Sequence, residues 1–312
     1  MNKVIEVENL TKRYGNLTAL NKFSFSVKEG EIFGLLGPNG SGKTTAINSI
    51  LGLLKINEGK IQIFGKQMQP DAYDIKKDIG VILQNVAVFD SLTVYENIDY
   101  FCGLYVANKE TRKKLVNEAI KVVGLEKYKT FTPPKLSGGL LRRLNIACGI
   151  AHKPKLLFLD EPTVAVDPQS RNNILESIKK LNQQGTTIIY TTHYMEEVEF
   201  LCDRVLIIDH GKSVAEGTVE QLKKQATIDE KIEVEFDEIA ENKIAKIKKL
   251  PNVKDVLVEP QKITIYFAKE NQNMTKLLEL LKKEDIKANA VNLQKPTLND
   301  VFLEITGREL RD

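Results

Sequence analysis

The chain has 312 residues, more than one compact core readily absorbs, so one large domain and one small one is the natural arrangement. Hydrophobic residues make up 42% and charged residues 28%, an ordinary balance for a globular protein, and the formal net charge of +3 is too small to point to nucleic acid. No apolar run approaches the roughly 18 residues that a membrane-spanning helix needs.

Met1 leads directly into the strand-like Val4-Ile5-Glu6-Val7, so no secretory leader is expected. Residues 4–10 and 19–27 have strand character, and 31–36 is a short apolar run ending at Gly37. Helical spacing follows over 42–53, then strand-like segments over 60–64 and 79–83. From about 91 to 151 the strands disappear, and 94–105, 110–124 and 140–151 carry helical periodicity. Leu156-Leu157-Phe158-Leu159 is the bare apolar run expected of a strand buried on both faces. A helix over 169–181, a β-branched strand over 186–191, a short helix over 194–201 and a hairpin across His210-Gly211 complete the segment. This alternation predicts an α/β domain over 1–220, with a largely parallel central sheet and an all-helical insertion.

The pattern changes near Gln221. Residues 231–293 read strand, helix, strand, strand, helix, strand. That is the order of a small α+β, ferredoxin-like domain, placed here over 228–312 with a closing helix over 297–306. The three cysteines, Cys102, Cys148 and Cys202, show no C-x-x-C spacing and read as small buried thiols in a reducing compartment.

Gly37-Pro38-Asn39-Gly40-Ser41-Gly42-Lys43-Thr44-Thr45 fits the phosphate-loop pattern G-x-x-x-x-G-K-[ST]. Its glycines let successive N–H groups turn inward to an anion, and the helix that follows presents its positive end to the same place. Lys43 is expected on the β- and γ-phosphates of ATP, and the Thr44 hydroxyl on Mg²⁺. Asp160 and Glu161 end the apolar strand at the carboxyl edge where α/β sheets bind ligands. Asp160 is placed to hold Mg²⁺, and Glu161 to polarise the attacking water. Leu136-Ser137-Gly138-Gly139-Leu140 is weaker, since Ser137 also reads as a plain N-cap and the glycines as a plain turn.

The order of phosphate loop, Gln84, Leu-Ser-Gly-Gly, Leu-Phe-Leu-Asp-Glu, Asp167 and His193 resembles the nucleotide-binding subunits of ATP-binding cassette (ABC) transporters over about 4–226. The resemblance implies a P-loop ABC cassette with ATP and Mg²⁺ as ligands. Tyr14 would stack on adenine, Gln84 would touch Mg²⁺ and the attacking water, and His193 would contact the γ-phosphate. The resemblance also implies a head-to-tail dimer, with Ser137, Gly138 and Gly139 of one subunit capping the ATP held by the other and Asp167 beside it. The second subunit would be another copy or a paralogue. The tail from Lys295 to Gly307 resembles ATPases that partner ABC-2 type permeases. It favours an exporter of a drug, antibiotic, lipid or similar cargo, working from the cytoplasmic face of the cell membrane. A soluble ABC ATPase acting on ribosomes or nucleic acid, and a low-turnover regulatory module, are the competing readings. Leu140 stands where the family most often has glutamine, and Ala165 stands where it has glycine, which would strain the backbone if φ there is positive.

Overall fold

The computed structural model describes residues 2–225, 228–268, 272–295 and 297–306; of the predicted features, Pro296, the stretch 307–312 and Ala226 lie outside them. The chain forms two compact units, one ending at Val219 and the other starting at Glu220.

The first unit contains, in chain order, β1 (Lys3–Tyr14), β2 (Leu17–Lys28), β3 (Ile32–Leu36), α1 (Lys43–Ile50), β4 (Glu58–Ile63), β5 (Lys66–Gln67), α2 (Tyr73–Lys76) and β6 (Ile79–Ile82). The helical insertion follows as α3 (Val94–Gly103), α4 (Lys109–Val122) and α5 (Gly138–Ile150). Then come β7 (Leu156–Asp160), α6 (Pro168–Gln183), β8 (Thr187–Thr192), α7 (Met195–Leu201), β9 (Arg204–Asp209) and β10 (Lys212–Gly217). Side chains mark several helix starts: Thr93 and Glu96 form a capping box for α3, Asn108 caps α4, and Asp167 caps α6 ahead of Pro168.

The central sheet has the order β10-β9-β3-β8-β7-β6, parallel except for β10. The other strands do not join it. They form a separate antiparallel sheet, β2-β1-β4-β5. The reason is local: Tyr14 pairs with Leu17, and Gly15 turns the chain at a φ of 56°, so β1 folds straight back on β2 as a hairpin.

Period-2 alternation divides the apolar runs between two cores. Phe33, Leu35, Leu156, Phe158 and Ile189 face the antiparallel sheet and α1. Ile32, Leu157, Leu159, Ile188 and Tyr190 face the insertion helices and α6. All ten are at most 3% exposed. Each fully buried side chain of this size contributes roughly 1.5–3 kcal/mol, so a sheet sealed on both sides is a rigid mount for whatever its strand ends carry.

The second unit comprises α8 (Val219–Gln225), β11 (Ile228–Glu235), α9 (Glu241–Ile247), β12 (Val253–Glu259), β13 (Lys262–Ala268), α10 (Asn273–Lys283), β14 (Ala290–Gln294) and α11 (Leu298–Thr306). Its antiparallel sheet runs β12-β13-β11-β14, the ferredoxin-like order. Two local features depart from the sequence reading. The lysine-rich stretch before β11 forms α8. The last strand begins at Ala290 rather than near 286, because Asp285 turns at a φ of 48° and the Ile286 amide bonds back to Leu281, closing α10.

Candidate functional site

Four adjacent parallel strands end flush. Leu36 is paired with Thr192, Thr191 with Asp160, and Leu159 with Ile82. The residues that follow are therefore delivered to one edge: the phosphate loop after β3, His193 after β8, Asp160 and Glu161 at the end of β7, and Gln84 after β6.

The phosphate loop leads into α1 through Gly42, whose φ of 112° suits glycine and where a Cβ would meet the Ala19 carbonyl at 2.8 Å. No side chain caps α1, so its first N–H groups remain for an anion. The Lys43 ammonium curls over the loop, donating to the carbonyls of Gly37 at 2.8 Å and Pro38 at 3.2 Å. The Ser41 hydroxyl is buried and has no hydrogen-bond partner among the described residues.

Thr44 donates its hydroxyl to Asp160 Oδ2 at 2.9 Å, and Thr191 donates to Oδ1 at 2.6 Å. Asp160 is 2% exposed. A buried carboxylate beside a threonine hydroxyl is a hard oxygen set of the kind Mg²⁺ takes. Glu161 adopts a φ of 47°, held there because its amide donates to the carbonyl and hydroxyl of Thr191, each at 3.1 Å. Left-handed backbone in a non-glycine residue is strained. Here it turns the carboxylate out of the strand toward three groups: Lys43 Nζ at 3.1 Å, Gln84 Nε2 at 3.3 Å and His193 Nδ1 at 3.5 Å.

A cleft of about 540 Å³ runs from this cluster along Lys43, Thr44 and Thr45 to Asn39, Gly40 and Tyr14. Tyr14 is 45% exposed, with the Lys12 ammonium 4.7 Å from its ring centre.

Ser137, Gly138, Gly139 and Asp167 are not part of this cleft. Ser137 caps α5 by accepting from the Leu140 amide at 3.4 Å, and Leu140 packs against the helical core. Asp167 accepts from the Ser170 amide at 2.9 Å, and bonds from Ser170 hold its carboxyl below the usual range. The two glycines differ. A Cβ on Gly139 would lie 2.2 Å from Ser170 Oγ, whereas one on Gly138 would meet nothing within 4 Å.

Two participants escape sequence reasoning. Thr191 holds the Asp160 carboxylate through its hydroxyl and the Glu161 amide through its hydroxyl and carbonyl, yet reads only as a β-branched strand residue. Arg142, buried on α5, donates to the carbonyl of Gln84 at 2.6 Å and fixes the segment after β6. Threonine in a wholly buried strand and arginine on a buried helix face were the available signals.

The sequence profile of the ABC transporter family matches residues 20–164, and that of the C-terminal domain of DrrA1-3-like ATP-binding proteins matches 217–306. The chain is 42% identical to the linearmycin resistance ATP-binding protein LnrL of Bacillus subtilis (strain 168), over 99% of this chain and 100% of that one. It is 34% identical to the Nod factor export ATP-binding protein I of Ralstonia nicotianae, over 99% of this chain and 95% of that one. The dimeric, post-hydrolysis structure of the ATP-binding cassette MJ0796 with ADP and Pi aligns with a TM-score of 0.62 at 30% identity, covering 69% of this chain and 98% of that one. The chain belongs to the ATP-binding proteins of the ABC transporter family, and it is an ATP-hydrolysing enzyme.

Proposed function

We propose that this chain is one of two ATPase subunits that drive export through a separate ABC-2 type permease, from the cytoplasmic face of the membrane. Linearmycin resistance and Nod factor export in its relatives support a drug-, antibiotic- or lipid-like cargo. The C-terminal unit is an accessory domain of the same subunit. One observation carries the ATPase mechanism: the Glu161 carboxylate lies within 3.5 Å of Lys43, Gln84 and His193 at the mouth of the phosphate loop.

Lys43 leaves the Gly37 and Pro38 carbonyls and Glu161 to meet the β- and γ-phosphates of ATP, which also take the free α1 amides and the Ser41 hydroxyl. Tyr14 stacks on the adenine. Thr44, Asp160 and Gln84 hold Mg²⁺, which when bound offsets negative charge on the phosphate oxygens. With Lys43 drawn away, the Glu161 carboxylate is free to orient the attacking water and take its proton, while Gln84 and His193 align water and γ-phosphate. Positioning and electrostatics do most of the work. Ser137, Gly138 and Gly139, with Asp167 beside them, complete the partner subunit's site, so ATP is buried between two chains.

Glu161→Gln tests this. The isosteric amide keeps the shape and loses the base, so the variant is expected to bind ATP and accumulate as an ATP-dependent dimer in size-exclusion chromatography. Wild-type turnover in that variant removes Glu161 from the mechanism. Co-purification from native membranes tests the permease: a stoichiometric multi-span protein is expected, and recovery with ribosomes or nucleic acid instead overturns the export reading.

A further inference from the structure

The most deeply buried carboxylate of this unit outside the hydrolytic cluster is Glu197, on α7, 2% exposed. A buried carboxylate costs several kcal/mol unless charge and hydrogen bonds compensate it. Its Oε2 accepts from the Tyr190 hydroxyl at 2.8 Å and the Thr192 hydroxyl at 2.9 Å, both from the last three residues of β8. Its Oε1 faces Arg171 Nε of α6 at 3.5 Å. Burial, with the charge of Glu197 next, pushes the Tyr190 phenol well above its ordinary range, so it stays protonated and donating.

All of these contacts converge on the segment that carries His193. Thr192 is the residue before it, and the Thr192 hydroxyl also accepts from the amide of Tyr194, the residue after it, at 2.9 Å. The Tyr194 ring lies 4.1 Å from the His193 ring, and the Arg171 guanidinium sits over the other end of the arrangement, 4.6 Å from the Tyr194 ring centre. The His193 Nδ1 is buried and makes no hydrogen bond among the described residues, with the Glu161 carboxylate 3.5 Å away, so no hydrogen bond to that nitrogen fixes the imidazole. The loop must be held from behind.

We propose that Glu197 is a positioning residue for His193: its carboxylate ties α7, the end of β8 and Arg171 of α6 together, so that the imidazole is presented at the γ-phosphate. This rests on the reading of His193 given above. Because Asp167, the N-cap of α6, lies beside Gly139, the same carboxylate makes the His193 position depend on the helix that borders the partner-facing glycines.

The chain has three histidines, His152, His193 and His210, so ¹⁵N-histidine labelling of the full-length protein gives a readable imidazole spectrum, with His193→Ala assigning its signal. In Glu197→Gln, which conserves shape, and in Glu197→Ala, the His193 signals are expected to move or broaden while those of His152 and His210 stay. The kcat for ATP is expected to fall about 10- to 100-fold, as for a misplaced catalytic group, with the ATP dissociation constant within about two-fold. Combining Glu197→Ala with His193→Ala is expected to add no further loss. Wild-type kcat in His193→Ala overturns the reading of His193. A clear loss in His193→Ala, combined with an unmoved His193 signal, unaltered kcat or additive losses for the Glu197 variants, overturns the role of Glu197 alone. Equal loss of ATP affinity and thermal stability in both Glu197 variants assigns it to folding and overturns the proposal as well.

Discussion

Gly138 and Gly139 are neighbours in sequence and opposites in environment, and alanine at each separates folding from function. At Gly139 the new Cβ would lie 2.2 Å from Ser170 Oγ and 2.4 Å from Ser170 Cβ. Carbon contacts settle near 3.5–4.0 Å, so α5 and α6 must part by more than about 1 Å. Overpacking of this kind costs about 1–3 kcal/mol, offset by up to about 1 kcal/mol from the better helix propensity of alanine. At about 2–4 °C per kcal/mol for a unit of this size, the melting temperature should fall by up to roughly 12 °C. At Gly138 the Cβ enters open space. Stability should hold or rise by up to about 4 °C, since only the helix term acts. Turnover should nevertheless drop about 10-fold or more, because the methyl group projects from the face assigned to the partner's ATP. Differential scanning fluorimetry and a phosphate-release assay measure both. Ser170→Gly should restore part of the stability lost in Gly139→Ala. Equal melting temperatures for the two alanine variants would refute the steric argument, and full turnover in Gly138→Ala would refute the interface argument.

Ala165 sits exposed at a φ of 58°, the geometry in which alanine is strained. Ala165→Gly should relieve about 1–2 kcal/mol of strain and lose about 0.4–1 kcal/mol to unfolded-state entropy, so the melting temperature should hold or rise by up to about 6 °C, and a fall would contradict it. Lys43→Ala should abolish tight ATP binding by calorimetry, since the group pairing with Glu161 and the loop carbonyls is the one assigned to the phosphates; unchanged affinity would remove that assignment. Burial holds the His152 imidazole below the ordinary histidine range. The unfolded chain then binds more protons than the folded one as pH drops, so this contribution to stability is present above the ordinary histidine value of about 6.5 and lost progressively as pH falls below it. His152→Gln should flatten the pH dependence of the melting temperature over that window, and an unchanged slope would show that His152 does not carry it.

Much of the site is legible because it is local in sequence. The phosphate loop is one uninterrupted stretch from Gly37 to Thr45, and the Asp160-Glu161 pair closes a strand whose four apolar residues announce burial on both faces. The helical insertion and the ferredoxin-like strand order follow from periodicity in the same way. What periodicity lacks is partner identity. It marks β1, β2 and β4 as strands without showing that they leave the central sheet for one of their own. It shows two glycines before α5 without showing that only one of them touches Ser170. Thr191, Arg142 and Glu197 carry no motif; strand register and helix packing bring Thr191 and Arg142 within hydrogen-bond range of residues 30 and 58 positions away, and α7 folds Glu197 back onto the end of β8. The sequence by itself determined which chemical groups are present and which strand ends carry them, because backbone periodicity and loop chemistry are local. The tertiary structure alone decided which side chains hold those groups in place, because that depends on contacts between residues such as Thr44 and Asp160, 116 positions apart.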